Sequence, residues 1–139
     1  TAWLYGLHGR NFVKTMLQLA SERPCLKVVA DQRGCPTFSG DLAGMIGKLL
    51  AHPAQGVLHV TNAGNCTWHE FATEIVRLSG RPVPVEAITT ADMPRPAKRP
   101  AYSVLSADRL HHLGFSMPSW QDGLQRFMKA LPAVSSAVS

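Results

Sequence analysis

The chain has few acidic residues and no long apolar run. Its 139 residues include 9 Asp and Glu against 14 Lys and Arg, which gives a formal net charge of +5. No apolar run approaches the ~20 residues that a membrane-spanning helix needs. The basic balance suits an anionic partner, but by itself it does not distinguish nucleic acid, an anionic membrane surface and a phosphorylated small molecule.

Cysteines and the common catalytic signatures are also scarce. The three cysteines, Cys25, Cys35 and Cys66, are odd in number and show no C-x-x-C spacing. We therefore expect neither a zinc site nor a disulfide framework, and we expect a reducing cytoplasm. The sequence contains no P-loop, no G-x-S-x-G, no H-E-x-x-H and no glycine-rich dinucleotide fingerprint. This polypeptide is predicted to carry binding groups and no catalytic set.

Short apolar runs alternate with helical patterns along the chain, which predicts an α/β layered fold. Strands are predicted at 1–5, 26–30, 57–61 and 83–88, with the last at a sheet edge because of its internal proline. Helices are predicted to follow five capping residues: Asn11, Asp41, Thr67, Ser106 and Ser119. Four short strands would make a thin sheet for an independent domain, and the first predicted strand begins at Thr1. We therefore expect this chain to be part of a longer protein.

A proline-rich basic stretch, Pro94–Leu105 (PRPAKRPAYSVL), is the most distinctive local feature. Arg95, Lys98 and Arg99 fall within five residues and are interleaved with prolines. Proline excludes a helix or a central strand, so a stiff extended loop is expected. Arginine on such a loop suits a phosphate or carboxylate, because its planar fork donates two parallel hydrogen bonds. The alternative is a solvated basic loop with no ligand.

Two further loops could supply anion contacts. Asn11 and Lys14 lie in the first turn of a predicted helix, where free N–H groups favour an anion. They could equally be a helix cap and a surface lysine. Gln32, Gly34 and Thr37 lie on a predicted strand-to-helix loop at 31–40, where ligands bind in open α/β sheets. A plain turn is the alternative for that loop.

Trp3 and Tyr5 are two residues apart, so in a strand they would face the same side. Aromatic faces stack on sugar rings and bases. Buried aromatic residues in strands are more often part of the core. Both interpretations remain open from the sequence.

Six segments taken in order resemble one enzyme family: WLYG, GRNFVKTML, DQRGCPTFSGDLA, NAGNCTWHEFA, PRPAKRPAYSVL and the helix that begins near Trp120. They are similar to the carboxyl-terminal half of dTDP-4-dehydrorhamnose reductases, which are extended short-chain dehydrogenase/reductases. The resemblance implies reduction of the C4 ketone of dTDP-4-dehydro-L-rhamnose by NADPH or NADH, to give dTDP-L-rhamnose. It also implies that a Rossmann half outside this chain holds the cofactor and the Tyr-x-x-x-Lys pair, so this chain alone should be inactive.

The resemblance assigns substrate contacts to seven residues: Trp3, Asn11, Lys14, Gln32, Gly34, Thr37 and Arg99. Trp3 matches a tryptophan that packs near the sugar, and Arg99 matches an arginine that faces the diphosphate. Asn11 and Lys14 match a block close to the phosphates, and the other three match a loop that lines the nucleotide pocket. Some family members use magnesium at a dimer interface. No carboxylate cluster here matches that site, so we assign no metal and no catalytic residue.

The resemblance predicts a nucleotide-sugar domain over residues 1–132 and a disordered tail over 133–139. The expected partner is a dTDP-sugar, with no nucleic acid and no membrane. Unpaired strands predict a homodimer or domain exchange. A non-catalytic regulatory homologue and another nucleotide-sugar reductase or epimerase of the superfamily remain the alternatives.

Overall fold

The computed structural model describes residues 1–94 and 96–132. Within these residues the chain forms six short strands, five α-helices and a 3-10 turn at Thr90–Asp92. The strands are β1 Leu4–Tyr5, β2 Leu26–Val29, β3 Arg33–Gly34, β4 Thr37–Phe38, β5 Cys66–Thr67 and β6 Val85–Ile88. The helices are α1 Phe12–Glu22, α2 Ser39–Leu50, α3 Trp68–Leu78, α4 Asp108–His112 and α5 Trp120–Ala130. Arg95 and the predicted tail at 133–139 lie outside the described residues.

The strands form three two-stranded sheets among the described residues. β1 pairs with β4 and β2 pairs with β6, both parallel, whereas β3 pairs antiparallel with β5. β6 begins immediately after Pro84, as expected for a residue that cannot donate to a ladder. Together with the helices between the strands, this arrangement confirms the predicted α/β class.

Side-chain caps begin three of the long helices as the sequence predicted. The Asn11 side chain accepts a hydrogen bond from the Lys14 backbone N–H at 3.1 Å. Thr67 and Glu70 form a reciprocal capping box at the start of α3, and Ser119 caps α5. No helix in the described ranges is long and apolar enough to cross a bilayer.

The main core lies where α1, α3 and α5 pack on the short strands. Its most buried side chains include Val13 on α1, Phe71 and Ile75 on α3, and Leu124 and Phe127 on α5, none more than 1% exposed. These positions follow the helical spacing of each element, so one apolar face of each helix enters the core. A smaller cluster of Met45, Val60 and Leu110 lies beneath α2.

The predicted cap at Asp41 is wrong. α2 begins three residues earlier than predicted, at Ser39, and Phe38 occupies the capping position without a side-chain hydrogen bond. The Asp41 carboxylate instead accepts hydrogen bonds from Arg126 and Asn62. The Asp41 oxygen atoms, which the local pattern assigned to the backbone N–H groups of the helix start, therefore bind Arg126 and Asn62 instead. The predicted cap at Ser106 is displaced by one residue: α4 begins at Asp108 with Ala107 in the capping position, although the Ser106 hydroxyl accepts a hydrogen bond from the Asp108 N–H.

Three strand predictions also need correction. Residues 57–61 form no strand in the described structure, although Val60 is buried, because their backbone finds no strand partner. The predicted loop at 31–40 contains β3 and β4, which exist only through pairing with distant segments. At the amino end only Leu4 and Tyr5 are in a strand, and Trp3 has φ +45°. Trp3 and Tyr5 therefore do not share a strand face.

Candidate ligand-binding hollow

An open hollow of about 340 Å³ lies between the start of the chain, the end of β2 and the proline-rich basic stretch. We define it by its lining residues: Ala2, Trp3, Gln32, Trp68, Lys98, Arg99, Pro100 and Ser103. Three of the seven predicted site residues, Trp3, Gln32 and Arg99, are among them. The hollow therefore combines two indoles with two cations.

Trp3 enters the hollow with an unusual backbone conformation. Its φ of +45° is the left-handed region, which a bulky residue adopts only under constraint, at a typical cost of ~1–3 kcal/mol. Its carbonyl accepts a hydrogen bond from the Thr37 N–H at 3.2 Å. Its indole stacks on Trp68, with ring centroids 3.5 Å apart and planes within 10°. The surrounding structure thus holds this side chain in one place.

Gly34 makes room for the indole of Trp3. A Cβ at position 34 would lie 2.4 Å from Cε2 of that ring, closer than non-bonded atoms approach. Gly34 pairs with Cys66 across the β3–β5 ladder, two residues before Trp68. The β3–β5 pair therefore places both Gly34 and Trp68 next to the indole of Trp3. Gly34 was predicted as a site residue, and its contribution here is the absence of a side chain.

The segment that precedes the basic stretch is anchored just after β2, through Thr90. The Asp31 carboxylate accepts hydrogen bonds from the Thr90 N–H at 2.9 Å and from the Thr90 hydroxyl at 2.7 Å. These bonds, the backbone one first, hold the pKa of the Asp31 carboxyl below its usual value. The Gln32 amide donates to the same hydroxyl at 2.9 Å, which fixes Gln32 in the wall of the hollow.

The carboxyl-terminal part of the basic stretch is anchored to β3, through Ala101 and Ser103. The Arg33 N–H donates to the Ala101 carbonyl, and the Ser103 N–H donates back to the Arg33 carbonyl, both at 2.8 Å. Lys98 and Arg99 lie between these two anchors. No described carboxylate forms an ion pair with either of them. Their positive charge is therefore available to a ligand in the hollow.

Asn11, Lys14 and Thr37 do not line the hollow. Asn11 caps α1 and donates from its amide to the Gly6 carbonyl at 2.8 Å. The Lys14 ammonium donates to carbonyls of the loop after β1, including that of Gly9 at 3.2 Å. Thr37 is fully buried, and its hydroxyl donates to the Cys35 carbonyl at 3.4 Å. In this structure these side chains order the segments around the hollow, and their contact with a ligand stays a prediction.

The site residues assigned from the resemblance did not include Trp68, Ser103 or Lys98, although Lys98 was named as a cation of the basic stretch. Trp68 is the first residue of α3, and its spacing from Phe71 and Ala72 is typical of the apolar stripe. Nothing in that local pattern separates a wall residue from a core residue. Lys98 lies in the basic stretch beside Arg99, so its charge was the available signal.

The described residues do not fit a metal ion or a nicotinamide dinucleotide. In the described ranges, no group of three or more His, Cys, Asp or Glu side chains is placed to hold a metal. The turns that lead from strands into helices carry no G-x-G-x-x-G sequence, which dinucleotide sites use for close approach to the pyrophosphate.

These features define a small α/β domain with a hollow lined by two indole rings and two cations. A family model described as "RmlD substrate binding domain" matches residues 1–132. The chain belongs to this family, and its resemblance to the carboxyl-terminal half of dTDP-4-dehydrorhamnose reductases is confirmed.

Three similar proteins support that assignment. A probable dTDP-4,6-dihydroxy-2-methyloxan-3-one 4-ketoreductase from Streptomyces antibioticus is 45% identical over 140 residues, covering 99% of this chain and 46% of that protein. The Bacillus subtilis spore coat polysaccharide biosynthesis protein SpsK is 43% identical, covering 93% and 45%. The crystal structure of a Bacillus anthracis dTDP-4-dehydrorhamnose reductase in complex with NADP matches with TM-score 0.88 and 45% identity, covering 91% and 46%. The chain thus spans about half the length of the relatives it matches.

Proposed function

We propose that this chain is the substrate-binding part of a dTDP-4-dehydrorhamnose reductase. The whole enzyme would reduce the C4 ketone of dTDP-4-dehydro-L-rhamnose with NADPH or NADH and release dTDP-L-rhamnose. The hydride donor and the groups that protonate the carbonyl oxygen would belong to polypeptide outside this chain. On its own the chain would bind the nucleotide sugar without turning it over, in the cytoplasm and without nucleic acid or membrane as a partner.

One observation supports this proposal most strongly: Lys98 and Arg99 lie in the same hollow as the indoles of Trp3 and Trp68. A nucleotide sugar presents a diphosphate with about two negative charges beside rings with apolar faces. A charge-assisted hydrogen bond contributes ~1.5–3 kcal/mol, and less where water competes, so two cations on one wall of the hollow would favour the diphosphate over a neutral group. Indole rings suit the apolar face of a deoxysugar or a base.

The residues of this chain would bind and orient the substrate. Arg99 and Lys98 would hold the diphosphate, and Trp3 would contact the sugar. Gln32 would donate or accept a hydrogen bond at the nucleotide end. The buried Thr37, together with Asn11 and Lys14, would act indirectly by fixing the loops on which these groups stand.

Calorimetric titration with dTDP tests the binding claim on the 139-residue chain. Arg99→Ala should weaken binding about tenfold, which corresponds to the loss of ~1.4 kcal/mol from one charge-assisted contact. Lys48→Ala is the matched control, because it removes a positive charge from the end of α2 and not from the hollow. Equal losses in the two variants, or no binding by the unaltered chain, would contradict the proposal.

Turnover is expected only when the chain is joined to a Rossmann half that holds the cofactor. Such a protein should oxidise NADPH or NADH in the presence of dTDP-4-dehydro-L-rhamnose, followed by absorbance of the nicotinamide. An intact glycine-rich fingerprint and Tyr-x-x-x-Lys pair upstream would favour the enzyme, and their loss would favour a non-catalytic homologue.

A related 4-ketoreductase is the second candidate. The Streptomyces antibioticus relative carries a name that specifies a different dTDP-linked keto sugar. The hollow has cations for the diphosphate in either case, so the two candidates differ only at the sugar. Competing dTDP-L-rhamnose against other dTDP- and UDP-sugars would separate them.

A further inference from the structure

We propose that Trp68 is a positioning residue that sets the indole of Trp3 in the hollow. This inference rests on the function proposed above, and it assigns how the aromatic wall of that site is built. Trp68 belongs to α3, whereas Trp3 precedes β1, so the wall depends on packing between two separate elements.

The backbone of Trp3 does not direct its side chain by strand alternation. Trp3 lies outside β1 and has φ +45°, so the regular in-and-out pattern of a strand does not apply. Its ring direction is determined by what it touches. The Trp68 ring lies parallel to it with centroids 3.5 Å apart, and the backbone of Gly34 limits its movement toward β3.

Trp68 is in turn held by the core through aromatic contacts. Its ring centroid is 4.5 Å from that of Phe12 at the start of α1. Phe12 stacks on Phe71 at 5.7 Å, and Phe71 is 1% exposed. The four rings of Trp3, Trp68, Phe12 and Phe71 thus form a continuous aromatic column from the hollow to the main core.

The start of α3 is fixed independently of this column. The Glu70 carboxylate accepts a hydrogen bond from the Thr67 N–H at 2.7 Å and forms an ion pair with Arg33 at 3.3 Å. Arg33 belongs to β3, next to Gly34. The first turn of α3, and Trp68 with it, is therefore tied to the strand that also limits the Trp3 ring.

This arrangement has a consequence for ligand binding. A ring that is already immobilised loses little side-chain entropy when a ligand packs against it. Trp68 should therefore raise affinity for a ligand that contacts Trp3, and an aromatic replacement should preserve most of that gain. Trp3 is predicted to contact the sugar. Substitutions of Trp68 should therefore lower the affinity for dTDP-L-rhamnose more than the affinity for dTDP.

Circular dichroism tests the arrangement without a ligand. Two stacked indoles give an exciton couplet in the far ultraviolet when their transition dipoles are twisted about the stacking axis, and the unaltered chain should show such a couplet. Trp3→Phe and Trp68→Phe should each abolish the couplet. Trp120→Phe is the matched control, since Trp120 packs edge-on against Phe71 in the core and should leave the couplet in place. A couplet that survives Trp68→Phe would overturn the inference.

Calorimetry with dTDP-L-rhamnose and dTDP tests the effect on binding. Trp68→Leu should weaken dTDP-L-rhamnose binding about tenfold, whereas Trp68→Phe should stay within about twofold, because a phenyl ring still stacks. Gly34→Ala offers a second route if Trp68→Leu fails to fold, since it displaces the Trp3 ring while Trp68 is intact. It should also reduce dTDP-L-rhamnose affinity.

The outcomes separate the two proposals. Unchanged dTDP-L-rhamnose affinity in a folded Trp68→Leu variant would overturn the positioning role and leave the proposed function standing. If the unaltered chain bound neither nucleotide, the proposed function would fail, and the role of Trp68 in ligand binding would fail with it. Equal weakening by Trp68→Phe and Trp68→Leu would also contradict the inference, because it predicts rescue by an aromatic ring.

Discussion

Arg126 of α5 forms a two-pronged ion pair with Asp41 of α2. The Nη1–Oδ1 distance is 2.6 Å and the Nη2–Oδ2 distance is 2.8 Å. The Asp41 side chain is only 7% exposed, and its Oδ2 also accepts a hydrogen bond from the Asn62 amide at 2.7 Å. The oxygen of that amide accepts from the Phe38 N–H just before α2. A single carboxylate thus connects the two helices and the start of one of them.

Replacing Asp41 with Asn should destabilise the fold by about 1–3 kcal/mol at neutral pH, because a nearly buried carboxylate contributes more than a surface one. Urea unfolding followed by circular dichroism would measure the change. Glu86→Gln is the matched control, since Glu86 pairs with Lys27 at 3.7 Å on an exposed surface and such pairs contribute little.

The contribution of Asp41 should depend on pH in a defined direction. Burial opposes ionisation, but hydrogen bonds from Arg126 and Asn62 outweigh it and hold the pKa of the Asp41 carboxyl below its usual 3.8. A carboxyl with a lowered pKa in the folded state stabilises the fold above its unfolded pKa, and that stabilisation is lost as pH falls through the folded value. The difference between the unaltered chain and Asp41→Asn should therefore shrink below about pH 4. A constant difference down to about pH 2 would contradict this assignment.

Glycine substitutions in α5 and α2 should have opposite effects. A Cβ at Gly123 would lie 3.1 Å from Asp41 Oδ2 and 3.2 Å from Asn62 Oδ1, and these atoms are fixed by their hydrogen bonds. Gly123→Ala should therefore destabilise the fold by about 1 kcal/mol despite the better helix propensity of alanine. A Cβ added at Gly44 of α2, by contrast, would meet no atom within 4 Å.

Gly44→Ala consequently serves as the control and should stabilise the fold by about 0.5–1 kcal/mol. Thermal unfolding of both variants measures the comparison. If the two substitutions changed the midpoint in the same direction, the close contact at Gly123 would not be the deciding factor.

Self-association is predicted from the outer face of α2. Ile46 and Leu50 lie one turn apart on that helix and are 48% and 83% exposed. Exposed apolar side chains grouped in this way favour association with another surface. Sedimentation velocity should show a concentration-dependent increase in mass for the unaltered chain and a smaller one for Leu50→Gln. A monomer at all concentrations would contradict both this patch and the homodimer or domain exchange expected from the sequence.

Local patterns in the sequence predicted much of the fold. The caps at Asn11, Thr67 and Ser119 were predicted because each bond joins a side chain to a backbone group three residues away. The α/β alternation was predicted because helical and strand periods can be read from short windows. The basic stretch identified Arg99 because charge and proline are visible without any tertiary information.

The sequence by itself determined the class of fold, the main helices, the family and the residues that carry charge into the hollow. Only the tertiary structure decided that Trp68 stacks on Trp3, that Asp41 pairs with Arg126 instead of capping α2, and that residues 57–61 form no strand. The reason is the range of the interactions. Caps and periodicity involve residues within one turn, whereas stacks, buried ion pairs and strand pairing join residues far apart in the chain.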